Sequence, residues 1–373
     1  MNHLTIGIIG CGGIAQMMHL PHLADDERFQ IAALSDAHAP TLEAVAKRYH
    51  IPPERQYTDF RALLAQQDID AVGIFHSGSH FETVMAAIEA GKHIFVEKPL
   101  AWNVREIETI ARAAEASDRI IQVGYHKLYD PAFAYARDRV CEMRDLAHVR
   151  ITVLHPADEL GWAHHRVRRG DGVILEGHRP PGTWAEQVRG GLEGLAGGSL
   201  APLVDEALKE RRQVPRLRLA YGLMTVSLIH QIYVLDGFLG EPENVATTHI
   251  WRDGMSIHAL LRYPNDLHVS LDWHQLSDLK DYREEYAFLG NHDRVYLQFP
   301  SPYLRSFPSP VIIQGHEGEL AWEKRVIVSY EEAFRSELLA FYDNVCSNRR
   351  PSTGTAEALR HARIIQNLID AAQ

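Results

Sequence analysis

The chain opens on an apolar run, Leu4-Thr5-Ile6-Gly7-Ile8-Ile9, that breaks into Gly10-Cys11-Gly12-Gly13-Ile14-Ala15. A helical pattern follows, with Ile14, Met17, Met18 and Leu23 apolar. A buried strand that meets a helix across so small a turn admits few architectures, and a parallel sheet with crossover helices is the foremost. Gly10, Gly12 and Ala15 spell G-x-G-x-x-A. The first glycine permits the tight turn, the second leaves room for a pyrophosphate against the backbone, and the alanine lets helix and strand pack closely. The helix start then offers unpaired N–H groups and a partial positive charge to phosphates. A second strand-like run, 30–35, ends at Asp36. That is roughly one βαβ unit downstream, where a carboxylate accepts the two hydroxyls of an adenosine ribose. The plainer role for Asp36 is a helix N-cap before the helical segment 41–49.

The alternation continues. Strands read at 4–9, 31–34, 71–75, 93–96 and 120–123, and helices at 14–23, 41–49, 59–65, 81–90, 104–116 and 131–140. Strand and helix in turn predict a doubly wound parallel sheet, whose ligands gather at the carboxyl ends of its strands. Those ends are Gly10, Asp36, Phe75-His76-Ser77, Glu97-Lys98-Pro99 and Gly124-Tyr125-His126.

After about residue 150 the pattern changes. One strand reads at 149–154, followed by a glycine-rich stretch, 156–219, that is an insertion suited to covering a substrate cleft. The run 221–239 is apolar and helix-length, with His230 inside it. Strand-like runs at 245–251, 257–263, 267–273, 284–289, 294–299 and 311–314 are separated by turn signals, which predicts an antiparallel meander open on one face. Helices at 330–347 and 355–372 close the chain. Two domains follow, 1–126 and 127–373, with the last helices packing back toward the first.

The formal charge is −11, which argues against a nucleic-acid partner. No apolar run approaches the roughly 20 residues of a membrane helix, and no basic leader precedes the first strand, so a cytoplasmic protein is expected. The three cysteines, Cys11, Cys141 and Cys346, are too scattered for a disulfide framework. His155, His164, His165 and His178 share one stretch with Asp158, Glu159 and Glu176, but match no standard zinc spacing, so no metal is expected. Trp162 and Trp184, in the same stretch, are suited to stacking or to ordinary packing.

The glycine turn, Glu97-Lys98-Pro99, Gly124-Tyr125, a histidine in a later helix and the final pattern Ala333-Phe334-x-x-Glu337-Leu338-x-x-Phe341 form a set. Over nearly the whole chain this set resembles the glucose–fructose oxidoreductase / inositol dehydrogenase (Gfo/Idh/MocA) family. The resemblance implies a Rossmann domain and an open-faced, mostly antiparallel sheet that carries substrate and often the contact of a homodimer or homotetramer. It implies hydride transfer between NAD(P) and a ring carbinol or ketone of a sugar, amino sugar or cyclitol. Gly10, Gly12, Gly13, Ile14 and Ala15 match its pyrophosphate turn, and Asp36 its ribose acid, which favours NAD over NADP because a carboxylate repels a 2′-phosphate. Ser77 and His80 lie where the family contacts the cofactor, although only His80 agrees with the usual element there. Glu97 and Lys98 match residues beside the nicotinamide, with a cis bond expected at Lys98-Pro99.

In the family a lysine and a histidine share the substrate oxygen, and the histidine is often the base. Here they are Lys98 and His230. The family's Asp-x-Gly-x-His pattern is broken, because Val226 and Leu228 stand where Asp and Gly are expected. Tyr125, His126, Tyr221 or a histidine of 155–178 are candidates to complete the site, and Lys127 is placed to reach the substrate. Two alternatives keep the nucleotide site: a lyase, hydrolase or epimerase that recycles bound NAD, and a non-catalytic nicotinamide-binding sensor.

Overall fold

The computed structural model describes residues 3–156, 164–169, 172–173, 186, 189–190, 193–194, 197–276 and 278–373. The chain divides into two compact units. The first is Met1–Tyr125, Trp162–Arg179 and Phe334–Leu359; the second is His126–Gly161, Pro180–Ala333 and Arg360–Gln373.

The first unit is built on six parallel strands: β1 (Leu4–Ile9), β2 (Phe29–Ser35), β3 (Gln56–Tyr57), β4 (Ala71–Ile74), β5 (His93–Glu97) and β6 (Ile121–Gly124). Their spatial order is β3-β2-β1-β4-β5-β6, the doubly wound arrangement. β4 and β5 are buried along their whole length, as expected of parallel strands covered on both faces. The connecting helices start where the chain supplies a cap. Asp59 accepts from Arg61 N at 3.0 Å, and Asn103 from Glu106 N at 2.9 Å. Helix Phe81–Glu89 ends at Gly91, whose φ is +66°. A late segment completes this core: Leu338, Phe341 and Val345 of helix Ala333–Ser347 join Ile6, Ile8 and Phe95. Gln122 ties it in, donating to Glu337 O at 2.8 Å. Two-stranded β8 (Arg168–Arg169) and β9 (Gly172–Val173) also belong to this unit.

The second unit carries an eight-stranded sheet: β7 (Leu146–His155), β10 (Asn244–Trp251), β11 (Ser256–Tyr263), β12 (Leu267–Gln275), β13 (Arg283–Gly290), β14 (Arg294–Phe299), β15 (Pro310–Glu317) and β16 (Leu320–Ile327). Its order is β10-β11-β12-β7-β13-β14-β15-β16. This corrects the simple meander. β7 enters the middle of the sheet and pairs parallel with β12, His268 opposite His148 through Gln275 opposite His155, so two antiparallel meanders flank one earlier strand. β12 alternates buried and half-buried residues, the mark of a sheet packed on one face.

A continuous helical stretch, Pro215–Leu239, corrects a second expectation. By length and composition it would reach across a membrane. In its most apolar 18-residue window 61% is buried inside the protein. It comprises an α-segment Pro215–Leu223, a wide π-turn Met224–Leu228 and an α-segment Ile229–Leu239.

Candidate active site

In the first unit the glycine turn has the shape its residues require. Gly10 has φ +95°, and a Cβ there would lie 2.3 Å from His76 N, so no other residue fits without moving the β4 loop. A Cβ on Gly12 would meet nothing within 4 Å, so the protein leaves that side of the turn open. That is the cradle a pyrophosphate needs, and the residues present fit a dinucleotide. The helix opens as a π-turn, Ala15–His19, with Gln16 N donating to Gly12 O at 3.1 Å. The Gln16 amide holds the turn from the side. It donates to Cys11 O and Arg168 O, both at 2.8 Å, and accepts from Arg168 N at 2.8 Å.

Asp36 stands at the end of β2, beside this turn. One carboxylate oxygen accepts from Cys11 N at 2.7 Å and the other from His38 N at 2.8 Å. The acid thus pins the glycine turn and the start of the next helix together. Each carboxylate oxygen has a second lone pair to offer ribose hydroxyls. Burial, then the Asp36 charge, pushes the Cys11 thiol far above its ordinary range, so it packs as an inert side chain.

The register sets Ile9 opposite Ser35 and Ile74, Ile74 opposite Val96, and Glu97 opposite Gly124. Gly10, Asp36, Phe75, Lys98 and Tyr125 therefore leave their strands along one edge of the sheet. Lys98-Pro99 is cis, as expected. Lys98 is half-buried and its N–H donates to Glu97 Oε2 at 3.1 Å. Glu97 is buried, with Oε1 2.7 Å from His19 Nε2. Burial alone would raise the Glu97 carboxyl; the His19 hydrogen bond and charge, then the Lys98 charge, outweigh it and hold the group below its usual range. His19 stacks on Phe75 at 4.1 Å, with Phe95 and Phe334 edge-on at 5.5 Å. Among the described residues, His19, Glu97 and Glu337 bring donor atoms within 4.8 Å of one another. A hydrogen bond already spans the His19–Glu97 pair.

The 76–80 loop is locked from inside. His80 is buried, its Nδ1 2.7 Å from Pro99 O and its Nε2 2.6 Å from His76 O, so its side chain shapes the loop through the main chain. Burial, then the neighbouring His76, lowers its pKa to about 4, which keeps it neutral. Ser77 is exposed at the loop tip. Tyr125 is fully buried.

In the second unit His126 and His230 come together, their rings 5.4 Å apart at 70°. His126 is buried and His230 half-buried. On its other side His230 meets Tyr233, with Nδ1 2.7 Å from the phenol oxygen. The Lys127 ammonium is directed at Glu284. It is buried and paired with Glu284, the centre of a closed polar cluster. Glu284 also accepts from Tyr282, from Tyr286 at 2.8 Å and from Gln231 at 2.8 Å. Burial by itself would raise Glu284; the Lys127 charge and hydrogen bond, then Tyr282 and Gln231, hold it ionised below the usual carboxylate range. The cluster joins the segment that follows His126 to the helix residue that follows His230.

Neither Tyr233 nor Glu284 stands out in the sequence as a site residue. Tyr233 was legible as the i+3 neighbour of His230 on one helix face. Glu284 was not, since 157 positions separate it from Lys127. His155 packs between Trp273 and Tyr282, at 5.9 and 5.5 Å. The rings of His164 and His165 lie 4.0 Å apart. Asp158, Glu159, Trp162, Glu176, His178 and Trp184 lie outside the described residues.

Residues 4–125 match the model of an oxidoreductase family with an NAD-binding Rossmann fold. The chain is 37% identical over 216 residues to inositol 2-dehydrogenase of Paracoccus denitrificans, covering 46% of this chain and 63% of that enzyme. It is 28% identical over 138 residues to myo-inositol 2-dehydrogenase of Thermotoga maritima, covering 37% of this chain and 40% of that one. The chain thus spans less than two thirds of the length of these curated relatives. In fold it resembles KijD10, a 3-ketoreductase from Actinomadura kijaniata solved with NADP and TDP-benzene, with a TM-score of 0.74 over 100% of this chain and 98% of that one, at 19% identity.

Proposed function

We propose that the chain, whose residues 4–125 match the Gfo/Idh/MocA oxidoreductase family model, is a dehydrogenase or reductase that prefers NAD to NADP. The substrate class is a ring carbinol, or its ketone, on a cyclitol, sugar or amino sugar. The observation that carries the reading is the alignment of the open glycine turn, Asp36 and Glu97-Lys98 along one edge of one sheet. Bound NAD would supply the hydride acceptor at its nicotinamide C4. The chain's own groups do the rest.

The Gly12 side of the turn and the helix start receive the pyrophosphate. Asp36, held by Cys11 N and His38 N, accepts from the adenosine ribose and repels a 2′-phosphate. The fold neighbour that binds NADP does not decide this point, because the acid is a property of this chain. Lys98, on a backbone held by Glu97, polarises and orients the substrate oxygen. His230 takes the hydroxyl proton as hydride leaves the carbinol carbon. The inositol 2-dehydrogenase relatives support cyclitols as the first class to test.

The test is a screen of NAD+ reduction over cyclitols, sugars and amino sugars, read at the NADH absorbance band. Stoichiometric NADH release supports net oxidation, and turnover of substrate without it supports recycling of bound NAD. Lys98→Ala should lower turnover about 10²–10⁴-fold, the usual worth of a positioned proton-transfer group. Unchanged turnover in that variant refutes its role.

A further inference from the structure

We infer that Tyr233 is the positioning residue of His230, fixing which ring nitrogen carries the proton, and that it takes the place of the acid that Val226 leaves out of this helix. The inference rests on the reading of His230 as the proton acceptor.

The geometry is local and specific. Tyr233 follows His230 by one helical turn, on the same face of Ile229–Leu239. The His230 Nδ1 lies 2.7 Å from the Tyr233 hydroxyl, within the range of a good hydrogen bond. The two rings are 5.4 Å apart at 65°, and the His126 ring stands 5.4 Å away at 70°. His230 is thus gripped between two aromatic rings while one nitrogen is tied to a hydroxyl. Tyr233 is fully buried and cannot swing away to solvent.

Val226 and Leu228 lie in the π-turn Met224–Leu228, one turn ahead of His230, and neither side chain can accept or donate a proton. Tyr221, in the preceding α-segment, is buried farther back.

A hydroxyl differs from a carboxylate in two respects. It carries no charge, so it does not favour the imidazolium as an acid would. It can also either donate or accept. With Nδ1–H donating to the Tyr233 oxygen, the lone pair of proton exchange resides on Nε2. When Nε2 takes the substrate proton, Nδ1–H still donates to the same oxygen, so the contact survives the whole cycle. The substrate O–H bond breaks, the Nε2–H bond forms, and the electron pair left on oxygen builds the carbonyl as hydride departs to NAD+.

The test reads the tautomer directly. Protein labelled with 15N-histidine, free of nucleotide, is studied by long-range proton–nitrogen spectra on the alkaline side of histidine titration, with His230→Asn used to assign the resonance. The expected native result is a protonated, pyrrole-type Nδ1 and a pyridine-type Nε2. In Tyr233→Phe the preference should weaken toward Nε2–H. Turnover should then fall about tenfold, the worth of one hydrogen bond, at nearly constant KM, with the acidic limb of its pH profile displaced. A pyridine-type Nδ1 in the native protein overturns the inference, as does an identical tautomer in the Phe variant. The native spectrum decides the point even if that variant folds poorly. The base role is tested separately. Full turnover in His230→Asn beside a native Nδ1–H spectrum would sink the base reading and leave the Tyr233 assignment standing.

Discussion

Lys127→Met is the most informative single perturbation of the second unit. The substitution keeps the chain's length and apolar stem and removes only the ammonium. Lys127 and Glu284 are both buried, so their pairing is not screened by water. Deleting one partner of such a pair costs about 3–5 kcal/mol, because the other charge is left uncompensated. Glu284 keeps three neutral donors, Tyr282, Tyr286 and Gln231. Those place the loss at the lower end, about 3 kcal/mol. With a urea dependence of about 3 kcal/mol per molar for a unit of this size, the midpoint should fall by about 1 M. Urea unfolding followed by circular dichroism and tryptophan fluorescence measures it.

The pH dependence sharpens the test. In the native protein the folded pKa of Glu284 is lowered from 4.5, so its contribution is complete above that value and is lost as pH falls through the lower, folded one. In the variant burial is no longer opposed by the lysine, and the folded pKa rises above the unfolded one. The variant's penalty is then present at neutral pH and relieved on acidification. The gap between the two proteins should narrow from pH 7 toward about 5. Adding Glu284→Gln removes the stranded charge and should recover part of the loss. A gap under about 1 kcal/mol, or one that widens on acidification, refutes the reasoning.

Two further outcomes are expected. Asp36→Ala removes the ribose acceptor and both amide contacts, so NAD affinity by calorimetry should fall about 10–100-fold, the worth of charged hydrogen bonds, while NADP affinity holds or improves; an unchanged NAD-to-NADP ratio contradicts the assignment. Asp236 is half-buried, which by itself would raise its carboxyl, but hydrogen bonds from His361 and Arg360 lower it from 3.8 to about 2. Its stabilisation is complete above 3.8 and lost as pH falls toward 2, so acid unfolding in that window should flatten in Asp236→Asn, and identical acid limbs would exclude the contribution.

The first unit was legible because its strands are apolar runs buried on both faces and its turns carry glycine where the backbone demands it. β3, two residues long, is too short for any periodicity. β16 was missed for a different reason. Almost every residue of Leu320–Ile327 is exposed, so the strand lacks the in-and-out alternation that marks one, and it is held by pairing with β15. The central place of β7 depends on pairing with residues more than a hundred positions away, and no local pattern encodes that. At the site, residue types at strand ends were readable, but the partners were not. Sequence reasoning offered Tyr125, His126, Tyr221 or a histidine of 155–178 to complete the site and looked past the tyrosine one turn on from His230. It placed Lys127 by its neighbours, whereas burial against β13 and β14 decides its role: its ammonium also lies 5.3 Å over the Phe299 ring.

Both units solve one electrostatic problem in the same way, and this links stability to chemistry. A carboxylate is buried beside each candidate catalytic residue: Glu97 directly before Lys98, and Glu284 bonded to the residues that follow His126 and His230. Each would be costly alone. Each is compensated by neighbours, His19 from the π-turn after the glycines for Glu97, and for Glu284 Lys127 and Gln231 from other elements together with Tyr286 of its own strand and the adjoining Tyr282. The compensation works only if the backbone that carries those groups stays in register. Loosening the end of β5 before Lys98, or the helix under His230, would strand a buried charge, at several kcal/mol. The fold therefore cannot relax at these two places without losing much of its stability, and that constraint holds Lys98 and His230 at fixed positions in their units.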